Sequence, residues 1–196
     1  MKTALAIAVL AGLSVLLMGV AFSRAAPAGD RAASLAAFER MAPVLMSPRC
    51  VNCHTAINSP REGDDMHADL FGVSRGPDNM GAPGLHCATC HGRANNVASG
   101  VPGADDDWRL APLSMHWEGL SAGQICEELK DPARNGHRTG AQVIDHLRTP
   151  LVKWGWAAGK DIHGRQRSAP PLAYDVFLKA AQTWLATGEA CPRPTA

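Results

Sequence analysis

The pentapeptide Cys50-Val51-Asn52-Cys53-His54 recurs in pattern 37 positions later as Cys87-Ala88-Thr89-Cys90-His91. Both copies fit C-x-x-C-H, in which two thiols can each bond one vinyl group of a haem while the adjacent histidine binds the iron. A zinc site built from all four thiolates is the rival interpretation, but it leaves both histidines unexplained. We therefore predict two covalently attached c-type haems, with iron ligands and attachment points at His54, His91, Cys50, Cys53, Cys87 and Cys90.

The N-terminal segment predicts export, which covalent haem attachment requires. Lys2 precedes an apolar run over residues 4–22, and small side chains follow at Ser23 and Ala25. This pattern is typical of a secretory signal peptide, so we expect a signal peptide at 1–25, a mature domain at 30–196 and a periplasmic location. The run of 19 residues could also cross a bilayer, and an uncleaved membrane anchor is therefore the alternative.

The charge of the chain restricts its partners. A formal net charge of +1 with neutral histidines argues against nucleic acid as a partner. The charge is unevenly distributed along the sequence, because residues 61–107 carry a net −5 and residues 130–167 a net +5. Such a separation on the folded surface would orient a redox partner on approach. If the two segments are instead mixed in space in the folded chain, their charges are ordinary solvated surface charges. The sequence leaves both interpretations open.

Helical patterns are few and lie mostly outside the two motifs. Apolar residues recur at helical spacing between 30 and 46, where Pro43 is expected to end or kink the helix. The tetrapeptides at 121–124 and 139–142 have the form of capping boxes, and the longest helix is expected over 174–186. The chain between the motifs is rich in Gly, Pro and Asp and shows no strand-like alternation. We predict a mostly α fold with high loop content, in a single compact di-haem cytochrome c domain.

The second axial ligand of the first haem is not part of the C-x-x-C-H motif and must come from elsewhere in the chain. A histidine there gives a lower potential, a methionine raises it, and an open position permits ligand binding. His67 lies 13 residues after His54, in a loop that could fold over the haem. We expect His67 to be this ligand, with the adjacent Met66 as the alternative.

For the second haem, Met115 is the expected ligand and His116 the alternative. Met115 lies 24 residues after His91 in an apolar, proline-containing loop, which suits a methionine held in a dry site. Packing in the core is the simpler interpretation of Met115. The remaining candidates are more typical of helix caps, surface positions or core packing, namely His137, His146, Trp154 and Trp156.

Cys126 and Cys191 stand outside the two motifs. In an oxidising compartment a leftover even pair of cysteines usually forms a disulfide. The bridge would close a loop of 65 residues and tie the last helix to an internal one. We predict this disulfide.

With these residues in view, the chain resembles a family of small bacterial di-haem c-type cytochromes that often carry the name isoquinoline 1-oxidoreductase subunit. The resemblance extends from Cys50 to Pro192 and is carried by stretches at 50–54, 63–67, 73–77, 84–91, 110–115, 129–136 and 151–156. His67 and Met115 fall on positions shared with that family, which implies that they are the second ligands. Cys126 and Cys191 also match, which implies the bridge.

Membership of that family would imply an electron carrier rather than an enzyme, with no catalytic residues. The expected partners are redox proteins, with a molybdenum-containing hydroxylase as donor and a terminal acceptor cytochrome leading to the respiratory chain. A di-haem peroxidase-like enzyme is the first alternative, although the short separation of the motifs argues against two full haem domains. A haem-based redox or gas sensor is the second, and it would need an output domain or an anchor.

Overall fold

The computed structural model describes residues 28–98, 100–104 and 108–195. The predicted signal peptide, residues 1–25, lies outside these residues. Within the described ranges, no helix combines the length and the apolar character needed to span a membrane.

Most of the regular structure in the described ranges is helical. The helices are α1 (Ala28–Leu45), α2 (Pro48–Val51), α3 (Ala122–Lys130), α4 (Gly140–Leu147), α5 (Pro150–Lys153) and α6 (Tyr174–Ala186). Turns of 3-10 helix occur at Cys87–Thr89, Leu113–Met115 and Trp154–Trp156. The prediction of a mostly α fold with high loop content is confirmed.

Two small antiparallel hairpins lie between α2 and the second motif. In the first, β1 (Arg61–Glu62) pairs with β2 (His67–Ala68), and in the second, β3 (Gly81–Ala82) pairs with β4 (Leu85–His86). Each strand has only two residues, which is too short for an alternation of apolar and polar side chains to predict it from the sequence. The hairpins fold the loop between the motifs back on itself.

The helix ends follow the local signals in the sequence. Pro43 stands in the last turn of α1, which ends two residues later at Leu45. The side chain of Gln124 accepts a hydrogen bond of 2.8 Å from the backbone of Ser121 at the start of α3, and Gln142 does the same for Thr139 at the start of α4, also at 2.8 Å. These are the predicted capping boxes.

The main hydrophobic core lies where α1 and α6 pack together with α3 and α4. Phe38 of α1 and Trp184 of α6 have their ring centroids 5.6 Å apart. Buried Ser34 links the two helices, because its hydroxyl donates to the carbonyl of Trp184 at 3.2 Å and accepts from the amide of Ala190 at 2.8 Å. This core fixes the helices that form one wall of the site described below.

The disulfide between Cys126 and Cys191 is present, with the two Cα atoms 5.6 Å apart. It joins α3 to the segment that follows α6, and Cys126 is fully buried. The predicted pairing is confirmed. The closed loop contains all of α4, α5 and α6.

The two oppositely charged segments meet in the folded chain. The backbone amide of Ser168 donates to the carboxylate of Asp64 at 3.0 Å. The pKa of Arg165 is raised, first by its hydrogen bond to Asp161 and then by the charges of Asp65 and Asp64. Acidic and basic groups are therefore mixed at this surface, which favours the interpretation as ordinary solvated charge.

Candidate functional site

The first motif presents its histidine from the end of α2. The Nδ1 atom of His54 donates to the backbone carbonyl of Met115 at 2.7 Å, and the amide of Trp117 donates to the carbonyl of His54 at 2.8 Å. The indole of Trp117 stacks on the imidazole, with centroids 3.5 Å apart and planes 5° from parallel. Three contacts from one short segment thus fix the position and the plane of the His54 ring.

The second motif holds its histidine in the same way. The Nδ1 atom of His91 donates to the carbonyl of Pro102 at 2.6 Å, and the ring stacks on Trp108 at 3.9 Å with an interplanar angle of 16°. The amide of Ala104 donates to the carbonyl of Gly92, which closes this loop against the motif at 3.1 Å. Two segments of unrelated sequence therefore repeat one arrangement.

This arrangement fixes the tautomer of both rings. A carbonyl oxygen can only accept, so Nδ1 carries the proton and Nε2 keeps its lone pair in the neutral ring. Burial lowers the pKa of His54 to about 3, although the hydrogen bond to Met115 acts in the opposite direction. Burial also lowers the pKa of His91. Both Nε2 atoms are therefore available to a metal ion at neutral pH.

The motif thiols of the first pair are kept protonated. Burial raises the pKa of Cys50 to about 12 and that of Cys53 to about 11. A redox-active or nucleophilic C-x-x-C pair needs the reverse shift, because the thiolate is the reactive form. Thiol–disulfide chemistry is therefore not favoured at this pair.

No three His, Cys, Asp or Glu side chains converge on a common metal position in the described part of the chain. The four motif thiols accordingly do not come together as the four-thiolate zinc cluster that was the rival interpretation of the sequence.

A mostly apolar cavity of about 210 Å³ opens beside the first motif. Cys50, Cys53 and His54 contribute to its lining on one side. Its apolar lining comes from α1, α4, α5, α6 and the loop after the second motif, and includes Leu45, Leu110, Pro112, Val143, Leu147, Leu151, Val152, Trp156 and Phe177. The thiols and the histidine of the motif thus share one mostly apolar space.

Buried polar atoms without partners stand at the edge of this cavity. Arg49 is 4% exposed and places one terminal nitrogen on Asp64 at 2.7 Å, but its Nε and Nη1 atoms have no hydrogen-bond partner. The indole nitrogen of Trp154 is likewise buried without a partner. Both residues line the cavity, and the Arg49 guanidinium lies 5.9 Å from the centre of the Trp154 ring. Unsatisfied buried donors at this position are suited to bond an acceptor group that enters the cavity.

The two motifs lie close together. Cys53 of the first motif packs against a small cluster formed by Cys87 of the second motif, Trp108 and Leu110. The second motif has one buried and one exposed cysteine, because Cys87 is buried and Cys90 is open to solvent, while Cys50 and Cys53 of the first motif are both partly buried. A group attached to both cysteines of the second motif would therefore have one edge, the one at Cys90, at the surface.

The structure does not bring His67 to the cavity. Its Nδ1 atom lies 2.7 Å from a carboxylate oxygen of Asp65, and its Nε2 atom lies 3.7 Å from Glu62. Met66, the alternative for the same role, has a positive φ of 53° in the turn of the first hairpin. Neither residue is part of the cavity lining.

Met115 is placed beside the first motif. Its carbonyl holds His54, and the residue is buried in the cavity lining. The alternative, His116, has Nδ1 on the carbonyl of Leu113 at 2.8 Å. The described contacts of His91 are instead with Pro102 and Trp108.

Several residues of the site had no clear signal in the sequence. Trp108 and Trp117 meet the two histidines only through the tertiary fold, and Arg49 stands out only by its unsatisfied nitrogens. His146 of α4 lines the cavity together with His54. The spacing of His146 three residues after apolar Val143 was the one available indication.

No family model, no curated protein and no solved structure matches the chain significantly.

Proposed function

We propose that this protein is a periplasmic electron carrier with two covalently bound c-type haems, one at each C-x-x-C-H motif. The observation that carries the proposal is the repeated geometry of the two histidines. In both motifs Nδ1 donates to a backbone carbonyl, the ring is stacked on a tryptophan, and Nε2 is left with its lone pair. A histidine that ligates iron needs this tautomer and this restraint.

The residues around the first motif fit a haem. The cavity offers apolar side chains for the faces of the macrocycle beside two neutral thiols and an oriented imidazole. Arg49 and Trp154 would supply donors for the carboxylate groups of the macrocycle, which would satisfy the nitrogens that now lack partners. At the second motif, Cys87, Cys90 and His91 would hold the other haem. Both haems, when bound, supply reversible one-electron exchange at iron.

The protein's own contribution would be orientation and exclusion of water. His54 and His91 cannot rotate without breaking a hydrogen bond and a stacking contact. With a haem in place, the apolar lining would limit contact with solvent at the first site and so limit the rearrangement of polar groups when charge changes there. A rigid, dry environment of this kind favours electron transfer over ligand chemistry.

The difference in exposure suggests a route for electrons. Exposed Cys90 would put an edge of the second haem at the surface, where a partner can approach. Leu70 and Phe71 are 61% and 77% exposed, and Asp69, which precedes them, acts electrostatically on His91. These apolar side chains would form part of the surface around that edge. The contact of Cys53 with the second cluster would then connect it to the first site.

The partners remain those that the resemblance implies, a molybdenum-containing hydroxylase as donor and a cytochrome as terminal acceptor. Disulfide formation and thioether attachment both belong to an oxidising, extracytoplasmic compartment, which supports the periplasmic location. Reduction of the purified cytochrome by such a hydroxylase in the presence of its substrate would test the donor.

The haem content is the direct test of the function. The full chain is produced in a host that exports and matures c-type cytochromes, and haem is measured by the pyridine haemochrome assay. We expect two equivalents that resist extraction by acidified acetone. Replacing Cys50 and Cys53 by alanine, or Cys87 and Cys90 by alanine, should each leave one equivalent.

The matched control replaces the other cysteine pair. The variant Cys126→Ala/Cys191→Ala loses two cysteines that no haem requires, so it should keep two equivalents. A colourless protein, or one that binds zinc through the motif thiols instead, would contradict the proposal. Prompt binding of carbon monoxide to both reduced haems would favour the peroxidase-like or sensor alternatives.

A further inference from the structure

We propose that His146 is the second axial ligand of the haem attached at the first motif, on the face opposite His54. The proposal rests on the di-haem function proposed above and adds the identity of this ligand. It assigns to a helical residue the position that the sequence suggested for His67.

The geometry of α4 places His146 on the cavity wall. Residues three and four positions apart lie on the same face of a helix, and Val143, His146 and Leu147 all line the cavity that also contains His54 and the thiols of the first motif. The end of α4 is well anchored. The carbonyl of His146 accepts bonds from the hydroxyl and the amide of Thr149 at 2.8 and 3.1 Å, and Tyr174 donates to the carbonyl of Leu147 at 3.0 Å. The side chain therefore starts from a fixed backbone.

The His146 ring has no competing partner. Neither ring nitrogen makes a hydrogen bond or an ion pair with any residue that the structure describes. The imidazole is partly buried in the cavity wall, and its nitrogens are not committed to any other described group of the protein. A ring nitrogen of His146 is therefore free to bind a metal in the cavity that it lines.

The other candidate ligands are less suited to this position. Both ring nitrogens of His67 face carboxylates of the first hairpin, outside the cavity. Met115 lines the cavity but holds Nδ1 of His54 through its own carbonyl, so its backbone lies behind the proximal ring. Beyond the first motif itself, His146 and Met115 are the only described histidine, methionine or cysteine side chains in the lining.

The consequence is a haem with two histidine ligands at the buried site. Two histidines favour a lower potential than histidine with methionine, and they leave no open position for small ligands. The buried haem would therefore be a closed electron-transfer centre, whatever ligand the second haem takes.

The test uses the matured full-length protein and its spectra in the oxidised state. Near-infrared magnetic circular dichroism and electron paramagnetic resonance distinguish His/His from His/Met ligation haem by haem. We expect at least one His/His haem in the wild type. His146→Met should convert that one haem to His/Met. His146→Ala should turn one haem of the two high-spin and open it to carbon monoxide, and added imidazole should restore the low-spin state.

Two matched variants control for the loss of a histidine. His137→Ala removes an exposed histidine near the start of α4 and should change neither haem. His67→Ala should also leave ligation unchanged, whereas loss of one low-spin haem in this variant would overturn the proposal. Wild-type spectra without any His/His haem, or His146 variants that hold two haems per chain with wild-type spectra, would overturn it while the di-haem function stands. Wild-type protein without covalent haem would remove the proposed function and this ligand together.

Discussion

Removing the disulfide between Cys126 and Cys191 should lower the free energy of unfolding of the protein. The loop closed by Cys126 and Cys191 contains α4, α5 and α6, and with them His146 and Trp154 of the cavity wall. The perturbation is the double variant Cys126→Ala/Cys191→Ala. It leaves the four motif cysteines in place, so haem attachment is not affected directly.

The expected size follows from the loop length. A bridge that closes 65 residues removes loop-closure entropy from the unfolded chain equivalent to ~4 kcal/mol at 25 °C in the chain-entropy model. For a domain of this size, one kcal/mol corresponds to a shift of roughly 2–4 °C in Tm, so Tm should fall by roughly 8–16 °C. The unfolded variant is also less constrained, so its m-value should rise.

The assay is urea unfolding of the holoprotein, followed by far-ultraviolet circular dichroism. Wild-type protein unfolded in the presence of a reductant serves as the control, because it lacks the bridge but keeps both sulfur atoms in the core. The variant is unfolded in the same reductant, so that the haem irons are in the same oxidation state in both samples. The reduced wild type and the variant should lose similar free energies of unfolding. A loss below about 1 kcal/mol in both would refute the reasoning from loop closure. A loss in the variant alone would trace the effect to packing of the buried Cys126 sulfur.

Two further predictions concern charge. Arg49→Gln removes a buried positive charge beside the first site and should lower the midpoint potential of one haem by about 45 mV, equivalent to ~1 kcal/mol. Spectroelectrochemical titration would measure the potential, with Arg40→Gln on the exposed side of α1 as the control. An unchanged or raised potential in Arg49→Gln would contradict this prediction. Burial raises the pKa of Glu128, although Arg134 bonds it at 2.7 Å. The folded chain thus holds this proton more tightly than the unfolded chain, so the free energy of unfolding should be highest at low pH and decrease as the pH rises above about 4.5 through the raised pKa. Glu128→Gln should weaken this dependence of the free energy of unfolding on pH, as measured by urea titrations at several pH values. An equal pH dependence in the wild type and the variant would count against the prediction.

The elements that the sequence predicted well are those with local causes. The capping boxes at Ser121 and Thr139 involve residues three apart, and α6 has the bounds predicted from its apolar spacing, Tyr174–Ala186. The disulfide followed from cysteine count and compartment. In each case the interacting groups are close in sequence or are the only remaining pair of their kind.

The contacts that complete the site could not be predicted in this way. Trp117 stacks on His54 although the two residues are 63 positions apart in the sequence. The loops between them contain glycine turns that allow many backbone arrangements, so the sequence does not predict this contact. The sequence predicted where α4 begins along the chain. It could not predict what the side of α4 that carries His146 would contact, because that depends on how α4 packs against α6 and the first motif. A histidine in the last helical turn is also a common partner of the helix dipole, which made that interpretation the simpler one.

The unequal burial of Cys90 and the first motif would make the protein responsive to ionic strength. Dissolved ions screen exposed charges over distances of about 8 Å at physiological concentration, but they act weakly on a group enclosed by apolar side chains. A redox centre near the exposed thiol would shift its potential with the surrounding salt, while one held by His54 would stay nearly constant. If both motifs hold a redox centre, as proposed, the driving force between the two centres would then depend on the salt concentration of the medium, without any change of conformation.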